Sequence, residues 1–206
     1  LKIVDKKNSR SEKKRLDIIE AATQEFKLSG FGVASMDDIA ARAGASKRTV
    51  YNHFPSKEAL FQAIIVNMMA TLCTFECDEF SPEQDLTAQL TQLALAEISM
   101  LSELAFQDMA KVIIAEAIHK PQLIEQAMAQ FSQQESPLEA WFIAAIDAGA
   151  LTAKDSQFVL TQFTALIKGF CFWPQLIQGQ PFPDVAAQQQ IAESAAQMVI
   201  SHYTPK

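Results

Sequence analysis

Residues 35–60 read SMDDIAARAGASKRTVYNHFPSKEAL, and the punctuation of this stretch decides the fold. Ser35 is a good N-cap for a short helix whose Ile39, Ala40 and Ala43 face inward, and Asp37 and Asp38 suit its positive N-terminal end. Gly44 ends that helix. Ser46 caps the next one, Lys47 to His53, in which Val50 and Phe54 point into a core at i and i+4. Pro55 closes it, and Ser56 caps a long helix that carries Leu60, Phe61, Ile64, Ile65, Met68 and Met69 and runs to about Cys77.

Working outward, Ile19, Ala22 and Phe26 recur at helical spacing ahead of a Ser29-Gly30 stop, which supplies a packing helix. Before it, Lys2, Lys6, Lys7, Arg10, Lys13 and Lys14 read as a basic arm, with order expected from about Ser11. Two short helices meeting at a three-residue turn with Gly44, behind a packing helix, have the outline of a helix-turn-helix. Its second short helix is then the reader. Outward Lys47 and Arg48 suit guanine O6 and N7, Asn52 suits adenine, and the Thr49 methyl suits thymine. Tyr51 and His53 can reach phosphates, and Ser35 and Lys57 are placed to hold them with a helix N-terminus and a point charge.

Charge agrees once it is divided along the chain. The net charge of −7 hides a first sixty residues with twelve Lys and Arg against eight Asp and Glu, a balance of +4, whereas the remainder balances at −11. A small polyanion-binding head on an acidic, separately folded body is the expectation. With 206 residues, 49% hydrophobic and 20% charged, the chain can bury a sizeable core and is not disordered. Six Gly and eight Pro argue against glycine-rich phosphate cradles and many tight hairpins, so the class expected is all-α.

The body reads as further helices: Ser81-Pro82 to about Met100, Ser102 to His119, and Pro121 onward with a break near Ser136-Pro137, ending by Gly149. One from Asp155 to about Ile177 and one from Pro183 to about His202 follow. Phe158 to Ile177 is near the length of a membrane span, but Lys168 at its centre would cost about 2.5 to 3.5 kcal/mol there, so no membrane partner is expected. Three cysteines and no secretory signal make a reducing cytoplasm the expected compartment. No nucleophile elbow, phosphate loop or zinc helix is present to suggest an enzyme, and no cofactor is expected.

Ile18-Ile19-Glu20-Ala21-Ala22, Phe26, Gly30, Ser35-Met36, Ile39-Ala40, Ala43-Gly44, Thr49-Val50-Tyr51-Asn52-His53-Phe54 and Ser56-Lys57-Glu58-Ala59-Leu60 together resemble the N-terminal domain of the TetR family of transcriptional repressors. The resemblance covers about fifty residues. It implies a DNA-binding domain in 1–55 and a helical ligand-binding and dimerisation domain in 56–206. It further implies base-reading positions at Lys47, Arg48 and Thr49, phosphate contacts from Ser35, Tyr51, His53 and Lys57, and Met36 and Asn52 within the same DNA-binding surface. The partners implied are a palindromic double-stranded operator, a second copy of the chain and a small-molecule effector. Asp37 departs from relatives that carry a basic residue there; it would be repelled by phosphate or accept from cytosine N4.

For the effector, Phe106, Met109, Ile113, Trp141, Phe142, Phe170 and Trp173 form a candidate cavity lining, each of them also a candidate for plain core. For the dimer, which the family builds from its last two helices, Phe158, Phe163, Leu166, Ile191, Ala195, Met198 and Val199 are the candidates. Two alternatives stay open: a DNA-binding regulator without ligand control, and a thiol or metal response through Cys73 and Cys77, spaced i, i+4 on one expected helix. No metal site is assigned, and His119 and His202 suit surface or capping roles.

Overall fold

The computed structural model describes residues 10–73, 77–128 and 136–205, with the backbone alone at 71–73, 123 and 128. The basic arm up to residue 9 and the Cys73 side chain therefore lie outside the described residues. Among the described residues the structure is helical throughout, without strands. Packing divides the chain into two compact units, one within 1–68 and 108–132 and the other within 69–107 and 133–206. A cut at residue 55 is thus a division by proposed role, not by compactness.

The first unit opens with α1 (Arg10–Val33), which buries Ile18, Ile19, Ala22 and Phe26 along one stripe. Gly30 interrupts it at φ 78°, ψ 154°, a conformation essentially reserved for glycine, so the expected stop is a sharp break that swings Phe31 inward. In α2 (Met36–Arg42), Ser35 Oγ accepts from the Asp38 N–H at 3.1 Å. Gly44, at φ 54°, makes the left-handed turn after it. Lys14 Nζ donates to the carbonyls of Ala43 (2.9 Å) and Gly44 (3.3 Å), so this arm lysine caps the turn. Ser46 Oγ accepts from the Thr49 N–H at 3.1 Å and starts α3 (Lys47–His53), whose Val50, with Phe54 behind it, is buried.

α4 (Lys57–Cys73) closes this core. Its Phe61 ring lies 5.4 Å from Phe31 and 6.4 Å from Phe26, and Phe26 lies 5.1 Å from Phe31. The later part of α6 (Leu104–Ala117) and α7 (Pro121–Met128) belong to the same unit. Asp108 binds Lys27 at 2.7 Å and accepts from Gln24 at 3.3 Å, while Gln62 donates to Gln126 at 2.7 Å.

In the second unit, α5 (Leu86–Ser102) packs against α9 (Ser156–Cys171) and α11 (Val185–Tyr203), and α8 (Pro137–Asp147) packs against α9. Ser136 caps α8, with Pro137 in its first turn. Two expected boundaries move. Ser81-Pro82 forms a turn, not a helix start, because Gln89 folds back onto Ser81 N–H and Ser81 C=O (2.9 and 2.8 Å) and Asp85 caps α5 instead. The single helix expected from Asp155 to Ile177 is split at Phe172 into α9 and α10 (Trp173–Ile177). Pro174 has no N–H to give the Phe170 carbonyl and its ring would clash there. Gln175 Nε2 takes that carbonyl at 3.1 Å. No helix among the described residues is long and apolar enough to cross a membrane.

Candidate nucleic-acid interface

Two serine caps and a glycine turn present α3 with Lys47, Arg48, Tyr51 and Asn52 exposed on its outer side. Thr49 and His53 are half-buried beside them, and Ser46 Oγ shares a 2.8 Å hydrogen bond with Thr49 Oγ1, which fixes that side chain. The inner side of the same helix carries Val50, and the Arg15 guanidinium stacks 5.2 Å from the Phe54 ring centroid. The reader is thus held by α1 while its outer side stays open. Met36 does not belong to the surface: it is buried in the core at the start of α2, where an apolar side chain gains more than at a polyanion.

Two cations are already engaged. Lys47 Nζ lies 2.5 Å from Asp37 Oδ2, and the hydrogen bond and charge of Asp37 hold the lysine pKa above its ordinary value. Asp37 therefore does not reach outward alone; it neutralises the first residue of the reader helix. We expect Asp37→Asn to tighten binding to random duplex and to steepen the slope of log K against log salt by about one, as one more cation meets phosphate. Fluorescence anisotropy across a salt series measures this on random duplex, where no base is read and the freed Lys47 falls back on phosphate; an unchanged slope would show that it meets no phosphate even there. Lys57 Nζ donates to the carbonyls of Ala34 (2.8 Å) and Gly32 (3.1 Å) and sits 4.8 Å from the Phe31 ring centroid. Of its three protons two are used, so Lys57 clamps the end of α1 to the start of α4 and has one donor left for a phosphate. Ser35 Oγ, engaged in capping, also donates to Asp38 Oδ2 at 2.5 Å.

The effector candidates fall in both units. Met109 and Ile113 are buried in the first unit, the other five lie in the second, and those five separate further. Trp141 lines a cavity of about 390 Å3 with the apolar Leu93 and Ala96 and the polar Asp78, Gln84, Gln89 and Gln92. Phe142 is core, edge-on to Trp141 and Phe163 at 5.2 and 5.5 Å, and Phe106 is buried against Phe172. Phe170 and Trp173, 59% and 46% exposed, enclose nothing by themselves.

The dimer candidates divide as well. Phe163, Ala195 and Val199 are buried within the chain, so little of their surface is left for a partner, and of the three only Ala195 borders a groove. Phe158 and Met198 are 57% and 53% exposed, and Leu166, Phe170, Ile191, Ala195 and Met198 line a groove of about 310 Å3 between α9 and α11. Cys77 is non-helical, and the Cys73 side chain with which the sequence spacing would pair it lies outside the described residues. Burial and Asp78 push the Cys77 thiol up, away from the reactive thiolate.

One polar pair escaped the sequence reading. Glu97 of α5 is 4% exposed, its Oε1 is 3.5 Å from Lys168 Nζ on α9, and burial pushes its carboxyl up to about 7 against the attraction of that lysine. The signal was present in two places: an acid amid the apolar Ala94, Ile98 and Leu101, and a lysine in the middle of the most apolar helix.

A basic, doubly capped reader helix on a three-helix head, joined to a larger helical body, defines a helix-turn-helix DNA-binding protein. Residues 18–64 match the bacterial regulatory proteins of the tetR family, and residues 88–205 match the C-terminal domain of AefR-like transcriptional repressors. The second match spans more than half of the chain, which belongs to the TetR family of DNA-binding transcriptional regulators and is not an enzyme. The HTH-type transcriptional regulator SrpR of Pseudomonas putida is 27% identical over 124 residues, 60% of this chain and 56% of that protein, so the chain spans little more than half of that relative. A solved TetR family regulator from Pseudomonas syringae pv. tomato str. DC3000 is 37% identical over 93% of this chain and 96% of its own, with a TM-score of 0.81. The flavonoid-responsive regulator FrrA is 26% identical over 94% of this chain and 98% of its own, with a TM-score of 0.71.

Proposed function

We propose that the chain is a homodimeric repressor released from a palindromic operator by a small, mostly apolar effector. The observation that carries the operator half is α3 itself, whose Arg48 and Asn52 are exposed on a helix fixed by Ser46 and Phe54. Arg48, Asn52 and Thr49 read bases, with Lys47 joining them once it leaves Asp37; Ser35, Tyr51, His53 and Lys57 hold the backbone. The groove between α9 and α11, with the exposed Phe158 on the same α9, pairs with the same surface of a second copy, as an isologous dimer requires. Two reader helices about 34 to 36 Å apart then enter successive major grooves.

The 390 Å3 cavity beside Trp141 is the proposed effector site, and its size falls within the range of small-ligand pockets. Similarity to a regulator described as flavonoid-responsive favours an aromatic molecule. Because α4 and α6 each carry residues of both compact units, a ligand that prefers one arrangement of these helices lowers operator affinity by the difference in its own affinities.

The experiment is selection of bound fragments from sheared genomic DNA at about physiological salt, where non-specific affinity is weak. A short palindrome is the expected product. On that site Arg48→Ala should cost about 1 to 3 kcal/mol and relax preference at one base pair, with little loss on random duplex. Equal losses on both would remove Arg48 from the base-reading set.

A further inference from the structure

Two neighbouring acids at the start of α2 act in different directions. Asp38 turns back on its own helix, where its carboxylate accepts from Ser35 Oγ and its N–H donates to the same oxygen. Asp37 crosses to the reader helix instead, and its Oδ2 lies 2.5 Å from Nζ of Lys47, the first residue of α3. Both partners stay open to solvent, the Asp37 side chain at 54% and that of Lys47 at 67%. An ion pair so exposed adds little to stability. What it does is hold a carboxylate at the N-terminal end of α3, the end of a recognition helix that meets base edges.

We infer, on the base-reading role proposed above for Lys47, that Asp37 is a specificity-determining residue and that the two read one C·G base pair between them. Asp37 accepts from cytosine N4–H while Lys47 donates to guanine O6 and N7. A carboxylate can only accept and an ammonium can only donate. The donors in the major groove are cytosine N4–H and adenine N6–H. Adenine sets N7 on one side of its donor and its partner thymine sets O4 on the other, so a carboxylate there meets a repelling acceptor on either side. Cytosine N4 has no acceptor on its outer side, and the two guanine acceptors follow in a row on its inner side, the order that an acid beside a lysine matches. Binding is then an exchange. The bond between Asp37 and Lys47 opens, and each finds on the base pair the kind of group it gave up. On A·T that exchange is incomplete, and a polar group left unpaired in a closed interface is costly. Phosphate offers Asp37 only repulsion, so away from a C·G pair the acid works against binding and separates the operator from random duplex.

The test is selection by the full chain from a pool of duplexes with a randomised stretch of about 30 base pairs, long enough for two half-sites one turn apart. Wild type, Asp37→Ala, Lys47→Ala and the double variant are compared, and a circular dichroism melt establishes that each is folded. Wild type should return a C·G pair fixed in each half-site. Each single variant should relax that same pair and leave the other positions as they were. In fluorescence anisotropy on the selected site, changing the pair to T·A should weaken wild type about tenfold or more, and each single variant by less. Adding Asp37→Ala to Lys47→Ala should lower the preference for cytosine further, which an acid acting only by holding Lys47 would not do. A selected motif unchanged by Asp37→Ala, a loss spread evenly over all positions, or relaxation of different pairs by the two variants would each overturn the role of Asp37 while the operator reading stands. Failure of the wild type to return any motif would overturn both.

Discussion

Phe61→Ala should remove about 3 to 5 kcal/mol of unfolding free energy, the cost of deleting a large aromatic side chain from a closed core. The ring is fully buried and touches both Phe26 and Phe31, the residues on either side of the Gly30 break. The two rings it meets are stiff, and Phe31 is further held by Lys57 and Lys120 against its faces at 4.8 and 4.3 Å, so the void closes poorly from that side. Because single domains are stable by only about 5 to 15 kcal/mol, the loss is a large share of the total. Urea unfolding of the variant measures it, with Leu28→Ala as comparison, an exposed site on α1 where a change within about 0.5 kcal/mol is expected. Operator affinity should fall with stability and not with salt slope, since no phosphate contact is touched. A loss under about 1 kcal/mol would mean that α1 and α4 close over the cavity.

The second large effect is a pH dependence of stability set by Glu97. Its folded pKa of about 7 lies above the ordinary 4.5, because burial disfavours the charged form more than Lys168 favours it. Below 4.5 the carboxyl is protonated in both states and its contribution is fully present. As pH rises from 4.5 the unfolded chain releases the proton while the folded chain retains it, and the contribution is lost up to about 7, where the folded carboxyl ionises too. The gap is worth about 3 kcal/mol at about 1.4 kcal/mol per pH unit. Denaturant unfolding of wild type and Glu97→Gln at pH 5 and pH 8 reads it: the wild type should lose most of that amount relative to the variant between the two pH values. The Cys171 thiol, beside Glu97 and pushed up to about 11, stays neutral through this window, so it adds nothing. Parallel curves for the two proteins would mean that water reaches Glu97 and keeps it charged.

Three kinds of residue separated what was legible from what was not. Caps and turns read directly: Ser35, Ser46, Ser136 and Gly44 act where local chemistry places them, because a cap needs only its own next three residues. Cations were read only as contacts to DNA, whereas Lys14, Lys47 and Lys57 each also have a partner within the chain 10 to 30 positions away, which no local pattern announces. Apolar residues on α9 were the least legible. Phe158, Phe163 and Phe170 are the same residue type on one helix, yet Phe163 is core while the other two are exposed.

The sequence by itself determined the all-helical class, the basic head on an acidic body, the helix-turn-helix with its reader at Lys47 to His53, and the family. These rest on period, capping and charge, which act over a few residues and survive without knowledge of what lies opposite. Only the tertiary structure decided that Met36 is core, that Asp37 holds Lys47, that Trp141 alone of the aromatic candidates lines the larger cavity, and that Lys168 reaches Glu97. Each of those is a meeting of two helices, and helical periodicity states which side is apolar without stating which neighbour will cover it.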